Sequence, residues 1–171
     1  MAVLKVLKFG NPILEKKAKS VDLPDDSLEE KVRDMVETMY AAPGVGLAAN
    51  QVGWDMQLAV IDLTVGEEPD NLLVLINPEV IETKGSEACE EGCLSIPGFA
   101  EMVKRPAYVK IRAVDLDGEP YEIEGEELLA RALMHEIDHL NGVLFLEHLS
   151  RLKRDLIKRK IRKLAKTGEW D

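Results

Sequence analysis

The chain has 171 residues, 46% hydrophobic and 32% charged, which fits a single globular domain and excludes a disordered or fibrous protein. Its formal net charge of −10 hides a basic stretch: Arg151 to Lys166 holds nine Lys or Arg and one Asp, so it carries +8 and the remainder −18. No apolar run reaches the roughly 20 residues that span a bilayer. The start, "MAVLKVLKFGNPILEKK", has no signal-peptide core, and two cysteines do not make a disulfide framework, so a cytoplasmic protein is expected.

Taken in chain order, "NPILEKKA" reads as a short helix, with Asn11 as N-cap and Pro12 at the first helical position. "PDDSLEEKVRDMVETMYAAPG" reads as a longer one. Acids fill its first turn, Leu28, Val32, Met35, Val36 and Met39 recur at helical spacing, and Pro43-Gly44 stop it. The β-branched stretches "QLAVIDL", "LLVLINPEVI", "AYVKIRAVDL" and "PYEIEG" read as strands, with a hairpin turn at Asp117-Gly118. "EACEEGCLSIPGF", residues 87 to 99, reads as a shaped, non-regular segment. A helix follows from about Glu126 to Leu140, stopped at Asn141-Gly142, and the basic stretch closes the chain as another. The pattern predicts an α+β fold of antiparallel strands with helices at both ends.

The helix from about Glu126 carries "HEIDH". Leu128, Ala132, His135 and His139 are spaced by four, three and four, so they share one stripe. Two imidazoles one turn apart can hold one divalent transition metal. Glu136 lies about 100° around the helix from His135, where it can flank the ion and exchange protons with a water. A pair of ordinary core histidines is the alternative, but burying two unpaired imidazoles is unfavourable. A catalytic site needs a third protein ligand. His148 lies beyond the Gly142 break and reads as a surface residue or a cap. Cys93, which follows a glycine, is favoured modestly over Cys89.

A further segment, "PGVGLAANQVGW", combines backbone-exposing glycines with one long amide, Gln51, able to donate to an oxyanion. It lacks the lysine or the ribose-binding acid of a nucleotide loop.

"GVGLAANQ", "EGCLS" and "HEIDH", in this order and at these separations, closely resemble the three motifs of bacterial peptide deformylases, and "VLKFGNPILEKKAKSV" resembles that family's N-terminal segment. The likeness spans nearly the whole chain. One departure is Met134, where the family usually has glutamine. The resemblance implies that Cys93, His135 and His139 bind one divalent ion, Fe²⁺ natively, with Zn²⁺ or Ni²⁺ able to occupy the site. The substrate would be the N-formylmethionine end of a new polypeptide, and the products formate and a free amine. Glu136 would shuttle the proton, and Gln51 and the Leu94 N–H would hold the oxyanion. Gly46 would pair with the substrate backbone, while Val45, Leu128 and Ala132 would line the methionine pocket. Glu91 and Arg105 would form an ion pair. Cys89, four residues before Cys93, reads as a further wall of that pocket.

Two alternatives remain on sequence: a metallopeptidase cleaving internal amides, and a non-catalytic ribosome-binding protein of the same fold. The domain reading is a catalytic unit over 1–150 with the basic helix of 151–171 as part of it. That helix suits a polyanion such as the ribosome, or is a solvated face; no membrane and no specific DNA are expected. Its apolar residues fall in two groups, Leu149, Leu152 and Leu156 against Ile157, Ile161 and Leu164. The first group is expected to pack on the domain, while the second projects.

Overall fold

The computed structural model describes residues 2–170. Five antiparallel strands form one sheet in the order β1 (Gly46–Ala48), β2 (Leu58–Ile61), β3 (Leu73–Lys84), β6 (Tyr108–Val114) and β7 (Pro120–Glu126). A separate hairpin pairs β4 (Glu87–Cys93) with β5 (Ile96–Arg105). Three α-helices complete the chain: α1 (Leu28–Ala41), α2 (Glu127–Leu140) and α3 (Arg151–Lys166). The α+β architecture with antiparallel sheets around α2 is as expected, and α3 ends it.

Strand β2 shows why its sequence is apolar without alternation. Ala59 and Ile61 face α2 in one core cluster, and Leu58 and Val60 face α1 in another. A strand covered on both sides has no polar face to present. Helix α2 lies on the sheet through Ala130, Leu133, Ile137 and Leu140, which meet Leu75, Val109 and Ile111. Its end is set by Gly142 at φ +78°, where an added Cβ would stand 2.8 Å from the backbone of Glu15 and Lys16. No other residue combines that conformation with that approach.

Two expectations are corrected. The 87–99 segment is not irregular. It is the β4–β5 hairpin, with a register shift after Gly92 that places Cys93 opposite Ile96. Its acids fall on both sides, Glu90 outward and Glu91 buried, and this masked the strand alternation that puts Cys89, Glu91 and Cys93 on one side.

The basic helix is also turned the other way. Ile157 and Ile161 are buried with Trp170 against Ile96, Phe145 and Leu14; of the other group only Leu149, just before the helix, is buried with them, whereas Leu152 is 70% exposed and Leu156 44%. Trp170 folds back from beyond the helix, donates its Nε1–H to the Phe9 carbonyl at 2.8 Å and meets Phe99 edge-on. The partner surface made by the N-terminal segment and the hairpin selects the second apolar group. Periodicity alone could not choose between the two.

Candidate active site

The i, i+4 spacing on α2 brings His135 and His139 side by side, and the end of β4 delivers Cys93 to them. His139 Nε2 is 3.1 Å from His135 Nε2 and 3.2 Å from Cys93 Sγ. The three donor atoms lie within 4.8 Å of one another. One thiol and two imidazoles converging on a common point fit a divalent transition ion better than they fit each other. Burial, then the neighbouring His135 and Arg105, hold His139 well below the usual histidine range, which keeps it in the neutral form that ligates.

His135 is oriented from behind. Its Nδ1–H donates to Glu91 Oε1 at 2.5 Å, leaving Nε2 free for the cluster. Glu91 in turn accepts from Arg105 at 2.6 and 3.1 Å and from Arg131 at 2.9 Å. Burial alone would raise the Glu91 carboxyl, but bonds from His135 and Arg105 outweigh it and hold it far below the usual carboxylate range. Arg105 also meets Asp138, which pairs with His148 at 2.8 Å. His148 is thus the half-exposed edge of this network and stands apart from the cluster of donors.

Glu136 is 3% exposed and its Oε1 has no hydrogen-bond partner among the described residues. Burial pushes its carboxyl up to about 7, so near neutral pH it can both take and release a proton. The side chain lies against Gly46, where an added Cβ would stand 2.9 Å from Cδ of Glu136. A glycine at position 46 is what lets the carboxylate sit there.

Gln51 is fixed at both ends of its amide. Its Oε1 accepts from the Ala48 N–H at 3.0 Å, and its Nε2 donates to Ser95 Oγ at 3.0 Å and stands 3.8 Å from Cys93 Sγ. The sequence-derived site residues other than Cys89, His139 and Arg105 all line one cavity of about 540 Å³. Cys89 faces an adjoining hollow, which shares Leu128 and Arg131 with the main one. Leu128, 53% exposed, forms the rim between them. Strand β1 stands at the edge of the sheet, with β2 as its only strand neighbour among the described residues.

Sequence reasoning missed Arg131, Asp138, Ser95 and Asn50. Arg131 was findable, because it precedes His135 by four residues and so shares its face. Asp138 was findable in the same way, three residues after His135 on the same helix, whereas Ser95 and Asn50 carry no local signal.

A buried acid beside a Cys-His-His cluster able to hold a metal, in a cavity at the edge of a strand, is an arrangement that suits a metal-dependent hydrolase. The polypeptide deformylase family model matches residues 3–155. A peptide deformylase of Acidobacterium capsulatum is 50% identical over 170 residues, covering 99% of this chain and 100% of the relative. One from Stutzerimonas stutzeri is 50% identical over 165 residues, covering 96% and 97%. The crystal structure of a peptide deformylase from Legionella pneumophila superposes with a TM-score of 0.91 at 44% identity, covering 99% of each chain. One from Synechococcus elongatus in complex with actinonin gives 0.87 at 44% identity, covering 98% of this chain and 89% of that one. The chain belongs to the polypeptide deformylase family, enzymes that remove the N-formyl group from new polypeptides.

Proposed function

We propose that Cys93, His135 and His139 hold one divalent ion, Fe²⁺ in the cell and Zn²⁺ or Ni²⁺ when supplied, and that the reaction runs on the N-formylmethionine end of nascent chains. The observation that carries this reading is the convergence of the three donor atoms next to the unpartnered Glu136 carboxyl. A bound divalent ion supplies Lewis-acid polarisation and makes water more acidic. Glu136 takes the proton of the attacking water and gives it to the departing nitrogen. The water oxygen joins the formyl carbon, the C–N bond breaks, and formate and a free amine leave.

The Gln51 Nε2–H and the Leu94 N–H donate to the oxyanion. Gly46 on the edge strand β1 pairs with the substrate backbone. Val45, Ala132 and the Leu128 rim enclose the methionine side chain, and Cys89 borders the adjoining hollow. Glu91 and Arg105, with Arg131, keep His135 aimed.

The burial of Ile157, Ile161 and Trp170 supports reading residues 151–171 as part of the same unit as 1–150. None of the described helices is long and apolar enough to cross a membrane. A cytoplasmic enzyme docking at ribosomal RNA through the exposed basic face of α3 accords with that charge. Reversing Arg159, Lys160, Arg162 and Lys163 to Glu should lower salt-sensitive cosedimentation with ribosomes and spare turnover of a short peptide, and unchanged cosedimentation would overturn the docking.

The test of the catalytic reading is anaerobic purification, metal analysis and formate release on one sample. One iron per chain and cleavage of a formyl-capped but not an acetyl-capped methionyl peptide are expected. Cleavage of internal amide bonds, or no bound metal and no formate, would overturn it.

A further inference from the structure

The two histidines of the cluster are supported differently. His135 gives its Nδ1–H to Glu91, whereas the buried Nδ1 of His139 has no partner among the described residues. His139 Nε2 is the atom that meets Cys93 and His135, so Nδ1 carries the proton whenever Nε2 ligates. Ligating histidines almost always donate that second N–H to an acceptor, which fixes the tautomer and the ring's direction.

One buried side chain without a partner for its own oxygen is already bonded to His139. Asn50, fully buried in the short 3-10 turn Ala49–Val52, donates its Nδ2–H to the backbone carbonyl of His139 itself. That carbonyl decides the orientation of the amide, since only the NH₂ end can face it. The other end, Oδ1, is then buried with no donor among the described residues. An unpartnered acceptor and an unpartnered donor thus sit on two residues already joined by another bond. The remaining unpartnered oxygen on α2, Glu136 Oε1, belongs to the side chain that lies against Gly46 and lines the cavity. Met134, just before His135, offers only a thioether.

We propose that Asn50 is the positioning residue of His139, holding its carbonyl through Nδ2 and taking the Nδ1–H on Oδ1 when Nε2 binds the ion. With Gln51 next in the chain reaching Cys93 and Ser95, a single 3-10 turn then aims two of the three metal donors. The inference rests on the metal reading above, and the experiment separates the two.

Zinc affinity of the full chain is measured by chelator competition for wild type, Asn50→Ala and Asn50→Asp, with the melting temperature of each metal-free form. Aspartate keeps an oxygen for the ring N–H but has no N–H for the His139 carbonyl; alanine keeps neither. Asn50→Ala should bind zinc about 10–100-fold more weakly, while Asn50→Asp stays within about threefold of wild type or binds more tightly. Both should lower the metal-free melting temperature, because each loses the bond to the carbonyl. A merely structural role predicts equal loss of zinc in the two variants. Equal affinities, whether both weak or both like wild type, overturn the proposal. Should Asn50→Ala fail to fold, Asn50→Asp decides: wild-type affinity supports the tether and a loss of about tenfold or more overturns it. A wild-type chain that takes up no zinc overturns the metal reading, and the tether with it.

Discussion

Helices α2 and α3 have 14 and 16 residues and are both amphipathic, yet they place their charges oppositely. Helix α2 buries Glu136 and His139 in the middle of the molecule and joins His135 and Asp138 to a buried set of Glu91, Arg105 and Arg131. Helix α3 exposes seven of its nine basic residues and buries only an apolar stripe. Charges withdrawn from water are tolerable only as a connected set, so removing one member leaves another uncompensated. Charges left in water are nearly independent, and exposed pairs such as Arg151–Asp155 are worth about 0–1 kcal/mol. The difference marks where the chemistry is: one helix accepts a desolvation cost to place reactive groups, and the other contributes packing.

The largest effect is expected at the cluster itself. Cys93→Ala should abolish formate release and strip the metal, because the soft anionic donor is gone, whereas Cys89→Ala, at the adjoining hollow, should keep the metal and most of the activity. Metal analysis beside steady-state kinetics decides it, and exchanged outcomes would put the wrong cysteine in the ligand set.

Glu136→Ala comes next. It should lower kcat by at least about a hundredfold, the scale of lost acid–base catalysis, with metal content near wild type. Loss of the metal together with activity would instead make Glu136 a ligand.

The third effect is on stability. Glu91→Gln should cost roughly 3 kcal/mol at neutral pH by denaturant unfolding, since Arg105 and Arg131 lose their buried partner. Because folding holds the Glu91 carboxyl below its ordinary range, its contribution is complete above the unfolded value of about 4.3 and fades as pH falls toward the folded one. The gap between wild type and Glu91→Gln should therefore narrow on acidification, and a gap that widened would refute the sign.

A comparable loss and the smallest effect both fall on α3. Ile161→Ala should cost about 2–4 kcal/mol as a buried truncation, and Leu152→Ser should stay within about 0.5 kcal/mol. Equal costs would mean that the helix is not seated on this stripe.

Much of the site is legible in the chain's local patterns. The i, i+4 pair of histidines, the acid between them and the glycines before Gln51 are all short-range signals. The strands β2, β3, β6 and β7 are legible too: β2 and the start of β3 are apolar runs, β6 and β7 alternate, and turn residues bound them. The β4–β5 hairpin is not. Glu87, Glu90 and Gly92 face solvent there, and the buried side contributes Glu91, whose burial depends on Arg105 fourteen residues away. No local pattern announces that a glutamate will be inside when its partner is distant in sequence.

What the sequence determined by itself is the geometry that follows from helical rise and turn. His135 and His139 must face the same way, with Arg131 on that side and Glu136 about 100° around from His135, because these relations are intrinsic to an α-helix. Only the tertiary structure decided what meets that face. Pairing of β4 with β5 carries Cys93 to within 3.2 Å of His139, 46 residues away. The turn holding Asn50 reaches the same histidine across 89 residues. On α3 the sequence offered two apolar stripes of similar quality, and Phe9, Phe99 and Trp170, gathered from three distant parts of the chain, supplied the surface that fits just one. Periodicity fixes the angle between side chains on one element. Which angle points inward depends on what the rest of the chain builds beside it.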